Sequence, residues 1–297
     1  MSAPSWRPRA SLEAQRARAE RLQRVRAFFA ARGVLELDPP LLQPGANLDP
    51  GVQPFAVQPA GSGGEVRFLP TSPEHALKRA VAAYRCDVWA LSPAFRAGER
   101  GRWHAEEFRM LEWYRLGWDE RRLAAETLEL LAELTGWEAT RGEWLTWREA
   151  WQRAGLDPAA IGDGEGLTRD ERLDLLYAER VEPLLGRGRW TVISEFPPER
   201  AAQARLRPDR DGRPTAARFE IYREGLELAN GYHECTDAAE LAARQQRELA
   251  LHPGCRIDAV FHAMLAEGLP ACAGVAVGFD RALALALGRP ALAEVLW

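Results

Sequence analysis

Between Ser11 and Arg32, Leu22, Val25, Phe28 and Phe29 recur on one face at helical spacing, and Gly33 stands where a C-terminal cap belongs. The pattern then shortens. Val34 to Leu37 reads as a strand stopped by Pro39-Pro40, and Glu65 to Leu69 as another. The Gly-, Pro- and Asn-rich stretch between them, 43–64, reads as loop. Ser72-Pro73 opens a helix, with serine as N-cap and proline at the first helical position. Val88 to Leu91 is a strand. Phe95 to Glu107 is a polar, Arg-rich loop. Strict alternation follows from Phe108 to Leu116. It places Phe108, Met110, Glu112 and Tyr114 on one face of a strand and Arg109, Leu111, Trp113 and Arg115 on the other.

Glu120 to Leu134 is helical, and Trp144 to Leu185 reads as inserted helical sequence. Trp190 to Phe196 is a strand. Phe219 to Tyr222 and Leu226 to Ala229 form a hairpin around Arg223-Glu224-Gly225. Asp237 to Leu251 is a helix. Cys272 to Val277 is a strand running into a helix over 279–287. Antiparallel strand signals with helices around them predict an α+β fold. The simplest organisation is one domain, 1–297, with an insertion at about 140–215.

Composition narrows the class. No apolar run approaches the roughly eighteen residues of a membrane span, and Met1 to Arg9 has no apolar core of a secretory signal. Four scattered cysteines, Cys86, Cys235, Cys255 and Cys272, read as reduced thiols and point to the cytoplasm. The net charge of −4 does not advertise a nucleic-acid binder. Lys78 is the only lysine among the 39 basic residues. A GC-rich genome accounts for that, as does protection from self-acylation by a reactive intermediate. His75, His252 and His262 have no metal-like partners and read as structural.

Three stretches carry charge where a plain core needs none. On the 108–116 strand, Glu112 needs a counter-charge if it is buried. With no lysine to supply it, an internal arginine or a cationic ligand would. On the hairpin, Glu220 and Glu227 point to one side. Facing carboxylates repel unless a proton or cation lies between them, and oxygen-only ligation suits magnesium held with a nucleotide's phosphates. Exposed glutamates on an edge hairpin would look the same. In Gly274-Val275-Ala276-Val277-Gly278, small residues leave one face bare for a flat ring, with Arg281 beside it to stack or to pair with phosphate. Tight strand–helix packing would also explain them. No Walker-type loop or dinucleotide fingerprint is present.

In order, these stretches resemble the three motifs of class II aminoacyl-tRNA synthetases. RLQRVRAFFAARGVLELDPPLL resembles motif 1, FRAGERGRWHAEEFRMLEWY motif 2 and GVAVGFDR motif 3. TSPEHALKR, FRMLEWYR and LELANGYHECTD are similar to the lysine branch. Motif 1 begins almost at once, and no N-terminal OB-fold is expected before it. The chain is therefore identified as resembling the elongation factor P–lysine lysyltransferase family, stand-alone paralogues of lysyl-tRNA synthetase, over nearly its whole length. That resemblance implies a class II catalytic domain, an antiparallel sheet flanked by helices. It also implies a homodimer built through the Phe28/Phe29 helix. The expected activity is ATP- and Mg2+-dependent activation of (R)-β-lysine or lysine, then transfer to a lysine ε-amine of elongation factor P. No tRNA or membrane partner is expected.

The resemblance also implies roles. Ser72, Pro73 and Glu74 bracket the substrate, Glu74 near its amino group. Arg96 clamps the α-phosphate and Arg281 caps the adenine, and both count as catalytic. Glu99, His104, Phe108, Leu228 and Gly278 join them around ATP. Glu112, Tyr114 and Glu234 surround the side-chain ammonium, while Asn230, Tyr232 and Ala276 complete the pocket. Glu220 and Glu227 hold the metal, Glu227 also meeting ATP. Two positions depart from the family pattern. Gly98 stands where motif 2 has a glutamate, with Glu99 one residue later, and Ala105 replaces an asparagine. Both changes point toward weaker ATP binding. The chain also stops at Trp297, a few residues short of the family's usual end. The alternatives are a truncated lysyl-tRNA synthetase charging tRNA and an inactive synthetase-like binding module.

Overall fold

The computed structural model describes residues 6–61, 63–138, 142–164 and 166–297. The first five residues, part of the segment read as lacking a signal, and residue 140, where the insertion was expected to begin, lie outside them.

The chain opens with α1 (Leu12–Ala30), its N-terminus capped by the Ser11 hydroxyl, which accepts from Ala14 N. Next come the short strands β1 (Leu35–Glu36), β2 (Ala56–Val57) and β3 (Arg67–Phe68), then α2 (Glu74–Tyr84). Ser72 Oγ accepts from Glu74 N, while Pro73 occupies the cap position, one residue earlier than the expected first helical position. β4 (Val88–Phe95) and β5 (Glu107–Leu116) flank the polar loop, and α3 (Glu120–Thr135) follows.

The segment read as helical is mixed. It begins with a strand, β6 (Glu143–Thr146), before α4 (Trp147–Arg153) and α5 (Arg169–Leu176); the expected strand follows as β7 (Thr191–Phe196), and then β8 (Leu206–Pro208). Trp144 and Leu145 were absorbed into the helical reading because Thr146 both ends the strand and caps α4 through a capping box with Glu149. The hairpin strands are longer than expected, β9 (Pro214–Arg223) and β10 (Leu226–His233). Their turn is Glu224-Gly225, with φ of 51° and 75°, the two left-handed residues that a tight two-residue hairpin requires. After α6 (Ala238–Leu251) comes α7 (Ala259–Glu267), a helix the sequence reading missed. β11 (Cys272–Gly278) and α8 (Phe279–Ala286) end the fold.

Nine strands make one sheet in the order β1-β4-β5-β11-β10-β9-β7-β6, with β8 on β9. Its pairs are antiparallel except at the margins, where β1 with β4 and β6 with β7 run parallel. This is the expected α+β architecture, an antiparallel-dominated sheet flanked by helices.

The alternation on β5 divides the sheet's two faces. Leu111 and Trp113 pack with Phe29, Trp89, Val275 and Val277 under α1, α3 and α8. Phe29 stacks on Trp89 with ring centroids 4.7 Å apart. Phe28 and Phe29 are buried in the chain's own core, so their helical stripe packs on the sheet and the opposite face of α1 is left outward. On the opposite face, α2 and α7 close one end of the sheet through Leu77, Val81, Phe261 and Leu265. The 143–222 segment closes the other end around Trp151 and Ile193. Between these two clusters the middle of the sheet is left open.

Candidate active site

That opening is a cavity of about 350 Å³ floored by β5, β11 and β10. Of the residues singled out from sequence, Ser72, Glu74, Arg96, Glu99, His104, Phe108, Glu112, Tyr114, Glu227, Leu228, Asn230, Tyr232, Glu234, Ala276, Gly278 and Arg281 all line it. Pro73 and Glu220 do not: both are buried beside it.

A local irregularity makes this gathering possible. Glu227 pairs with Tyr222, but Asn230 pairs with Glu220, so the register slips by one at Leu228. The bulge turns Glu227, Asn230 and Tyr232 to the same face. Unbroken alternation would have sent Glu227 to the face opposite the other two.

One end of the cavity is acidic. Tyr114 OH donates to Glu112 Oε1 at 2.8 Å. Glu112 Oε2 and Glu234 Oε1 are buried without a hydrogen-bond partner among the described residues. Burial, and then Glu74, pushes Glu112 well above the usual carboxylate range. Burial raises Glu234 to about 7 against the pull of Lys78. Gly274 is required here: a Cβ would overlap the Tyr114 ring and sit 2.7 Å from Glu234 Oε1. This corrects the reading of the bare strand face as a continuous shelf, since at Gly274 the space is taken by Tyr114 and Glu234.

A lysine does serve the neighbouring acids, although it does not pair with Glu112. Lys78 lies behind the acids, its Nζ 2.5 Å from Glu74 Oε1 and 2.6 Å from Glu234 Oε2. No arginine pairs with Glu112 among the described residues. The sequence singled out Lys78 as the only lysine but not its partners, which come from remote elements.

The other end is basic and aromatic. Arg96 donates to Thr71 O at 3.3 Å, pairs with Glu99 at 3.5 Å and lies 5.3 Å from the Phe108 ring centre. Arg281 donates to Glu227 O at 2.7 Å and to Trp103 O at 3.3 Å, which ties α8 to both β10 and the polar loop. Burial and the nearby Arg281 lower the pKa of His104, favouring its neutral form. The Gly98 departure has a local logic. Its φ of 78° makes a turn that aims its N–H at Glu106 Oε1, 3.0 Å away, and Glu99 faces the cavity instead.

Between the ends lie the hairpin carboxylates. Glu220 accepts from Arg218 at 2.5 Å and from Tyr222 OH at 2.6 Å. Burial, and then Glu220, pushes Glu227 up to about 8. No group of three metal-ligating side chains occurs among the described residues. Glu227 faces the cavity and fits a cation shared with a ligand once its proton is displaced, whereas both oxygens of Glu220 are already held by Arg218 and Tyr222.

Sequence reasoning missed Asp49, Trp103 and Arg218, which also line the cavity. Asp49 is in a loop without periodicity. Arg218 precedes the part of β9 that the alternation made visible.

This constellation has known counterparts. Residues 5–297 match the class II tRNA synthetases of the D, K and N group, and the chain belongs to that family. Among its relatives, the elongation factor P–(R)-β-lysine ligase of Proteus mirabilis (strain HI4320) is 38% identical over 98% of this chain and 96% of its own length. The ligase of the same name from Klebsiella pneumoniae (strain 342) is 39% identical with the same coverage.

Proposed function

We propose that this protein is a ligase that activates (R)-β-lysine, or lysine, with ATP and transfers the aminoacyl group to a lysine ε-amine of elongation factor P. The observation that carries this reading is one cavity with two chemistries. Unpaired carboxylate oxygens of Glu112 and Glu234 suit a substrate ammonium, and Arg96, Phe108 and Arg281 suit a nucleotide. The full-length similarity to ligases of that name supports the acceptor.

Glu112, Tyr114 and Glu234 bind the side-chain ammonium, and Glu74 takes the second amino group. This leaves the substrate carboxylate near Arg96. The carboxylate attacks the α-phosphate in line, and Arg96 stabilises the charge that develops there. Arg281 and Phe108 hold the adenine on either side, and pyrophosphate leaves. Glu227 and Glu220 would hold a magnesium ion, which supplies charge neutralisation for the phosphates when bound. In the second step the neutral acceptor amine attacks the adenylate carbonyl, forming the amide and releasing AMP. A homodimer working in the cytoplasm, without tRNA, completes the proposal. No helix among the described residues is long and apolar enough to cross a membrane.

The test is mass spectrometry of elongation factor P after incubation with enzyme, ATP, Mg2+ and (R)-β-lysine. An adduct on one lysine is expected. Unmodified factor, with tRNA charged instead, would favour the truncated synthetase.

A further inference from the structure

Lys78 is the only lysine of the chain, and its side chain is fully buried. It does not line the cavity, yet two carboxylates that do line it depend on it. Glu74 opens α2, one helical turn before Lys78, and Glu234 follows β10. These elements are brought together by the sheet, and the Lys78 ammonium lies between their carboxylates at 2.5 and 2.6 Å. Gln203, from the segment before β8, closes the arrangement. Its carbonyl oxygen accepts from Lys78 Nζ at 2.9 Å, and its amide donates to Glu74 Oε2 at 2.7 Å.

A stability role alone does not explain this cluster. Replacing a buried ion pair by apolar side chains is often neutral or stabilising. The surroundings of Lys78 are acidic on several sides. α2 contributes Glu74, β5 contributes Glu112 and Tyr114, and the phenol ring of Tyr114 is centred 5.9 Å from Nζ. The 43–55 loop contributes Asp49, and β11 contributes the Cys272 thiol. Beside Glu74, His75 faces Asp258 at 3.5 Å and stacks on Phe261, away from this cluster. Burial alone would lower the pKa of Lys78. Glu234 and Glu74 overcome it and hold the ammonium well above its ordinary value. Reciprocally, without that ammonium, burial would push Glu234 up further, although it must be ionised to receive a cation.

We propose that Lys78 is a positioning residue for substrate recognition, holding the Glu74 and Glu234 carboxylates in place and aimed into the cavity so that each receives one of two amino groups of the amino acid. A single buried cation thereby couples the two ends at which a diamino acid is read. This inference rests on the amino-acid-activating reading above.

The experiment is amino-acid-dependent ATP–pyrophosphate exchange across about pH 6 to 9 for wild type, Lys78→Met and Gln203→Met, with KM measured for (R)-β-lysine and for ATP. Lys78→Met should raise the amino-acid KM by about 30-fold or more near pH 7, and leave the ATP KM within about threefold. The deficit should shrink as pH rises, because Glu234, which burial pushes up, then loses the proton that the absent ammonium no longer expels. Gln203→Met keeps the lysine but loosens it, and should show the same pH-dependent deficit at about 3- to 10-fold. A deficit equal at every pH, or one shared by the ATP KM, would mark Lys78 as merely structural and overturn the proposal. Should Lys78→Met not fold, Gln203→Met decides alone, and a profile identical to wild type overturns it. Wild-type enzyme without amino-acid-dependent exchange would overturn the activating reading and this inference together. Wild-type exchange with pH-independent variants overturns this inference alone.

Discussion

Tyr114 donates its phenolic hydrogen to one oxygen of Glu112, at 2.8 Å, and so leaves the other oxygen as a buried acceptor without a partner beside the cavity. Tyr114→Phe removes that orienting bond without removing the carboxylate. A hydrogen bond to a charged group contributes about 1.5–3 kcal/mol, so the amino-acid KM should rise roughly 10- to 100-fold. Steady-state exchange kinetics should show this with the ATP KM nearly unchanged. An equal rise in both constants would place Tyr114 outside amino-acid recognition.

The hairpin acids make a prediction about both activity and stability. Glu227→Gln should abolish adenylate formation while retaining the fold; wild-type exchange at ordinary magnesium would remove Glu227 from the metal site. Folding raises the Glu227 pKa from 4.5 to about 8. The folded state therefore holds a proton that the unfolded state has released. Stability from this source is present below pH 4.5 and lost as pH rises through about 8. At about 1.4 kcal/mol per pKa unit, the loss is on the order of a few kcal/mol. Denaturant titrations of ligand-free protein should show stability falling more steeply between these limits in wild type than in Glu227→Gln. Parallel curves would contradict the assignment.

The proposed homodimer would use outward surface of the motif 1 segment rather than the buried Phe28/Phe29 stripe. Leu35 on the edge strand β1 and Leu42 beside it are exposed apolar residues of the motif 1 segment. Leu42→Glu should weaken association. Sedimentation of wild type at micromolar concentration should give a dimer, and a clean, fully active monomer would contradict it.

Ala276 pairs with Glu112 on one side and Asn230 on the other, and its methyl lies on the cavity floor. One methyl in a tight pocket changes discrimination by about 1–3 kcal/mol, roughly 10- to 200-fold. (R)-β-lysine should therefore be preferred over α-lysine, and Ala276→Gly should narrow the preference by admitting α-lysine. Removing Glu234 should harm both substrates about equally. An unchanged ratio of the two kcat/KM values in Ala276→Gly would move selectivity to another pocket position.

Much of this was legible in the chain because alternation on β5 is unbroken. Leu111 and Trp113 could be sorted from Glu112 and Tyr114 without a structure. The hairpin carboxylates were legible as a facing pair for the same reason. What alternation cannot encode is where a strand slips: the bulge at Leu228 puts Glu227, Asn230 and Tyr232 on one face, and only the motif resemblance anticipated their company. Strand β6 was hidden because four residues are too short to show a period before a helix cap. The role of Lys78 was hidden for a different reason. Its partners Glu234 and Gln203 come from elements remote in sequence, so its burial is a product of the sheet order.

The central claim is that this cavity joins ATP to a diamino acid. ATP–pyrophosphate exchange with (R)-β-lysine, α-lysine and no amino acid tests it most directly. The account predicts exchange that requires an amino acid, strongest with (R)-β-lysine and weaker with α-lysine. Absence of exchange with both, in folded protein supplied with Mg2+, would contradict it.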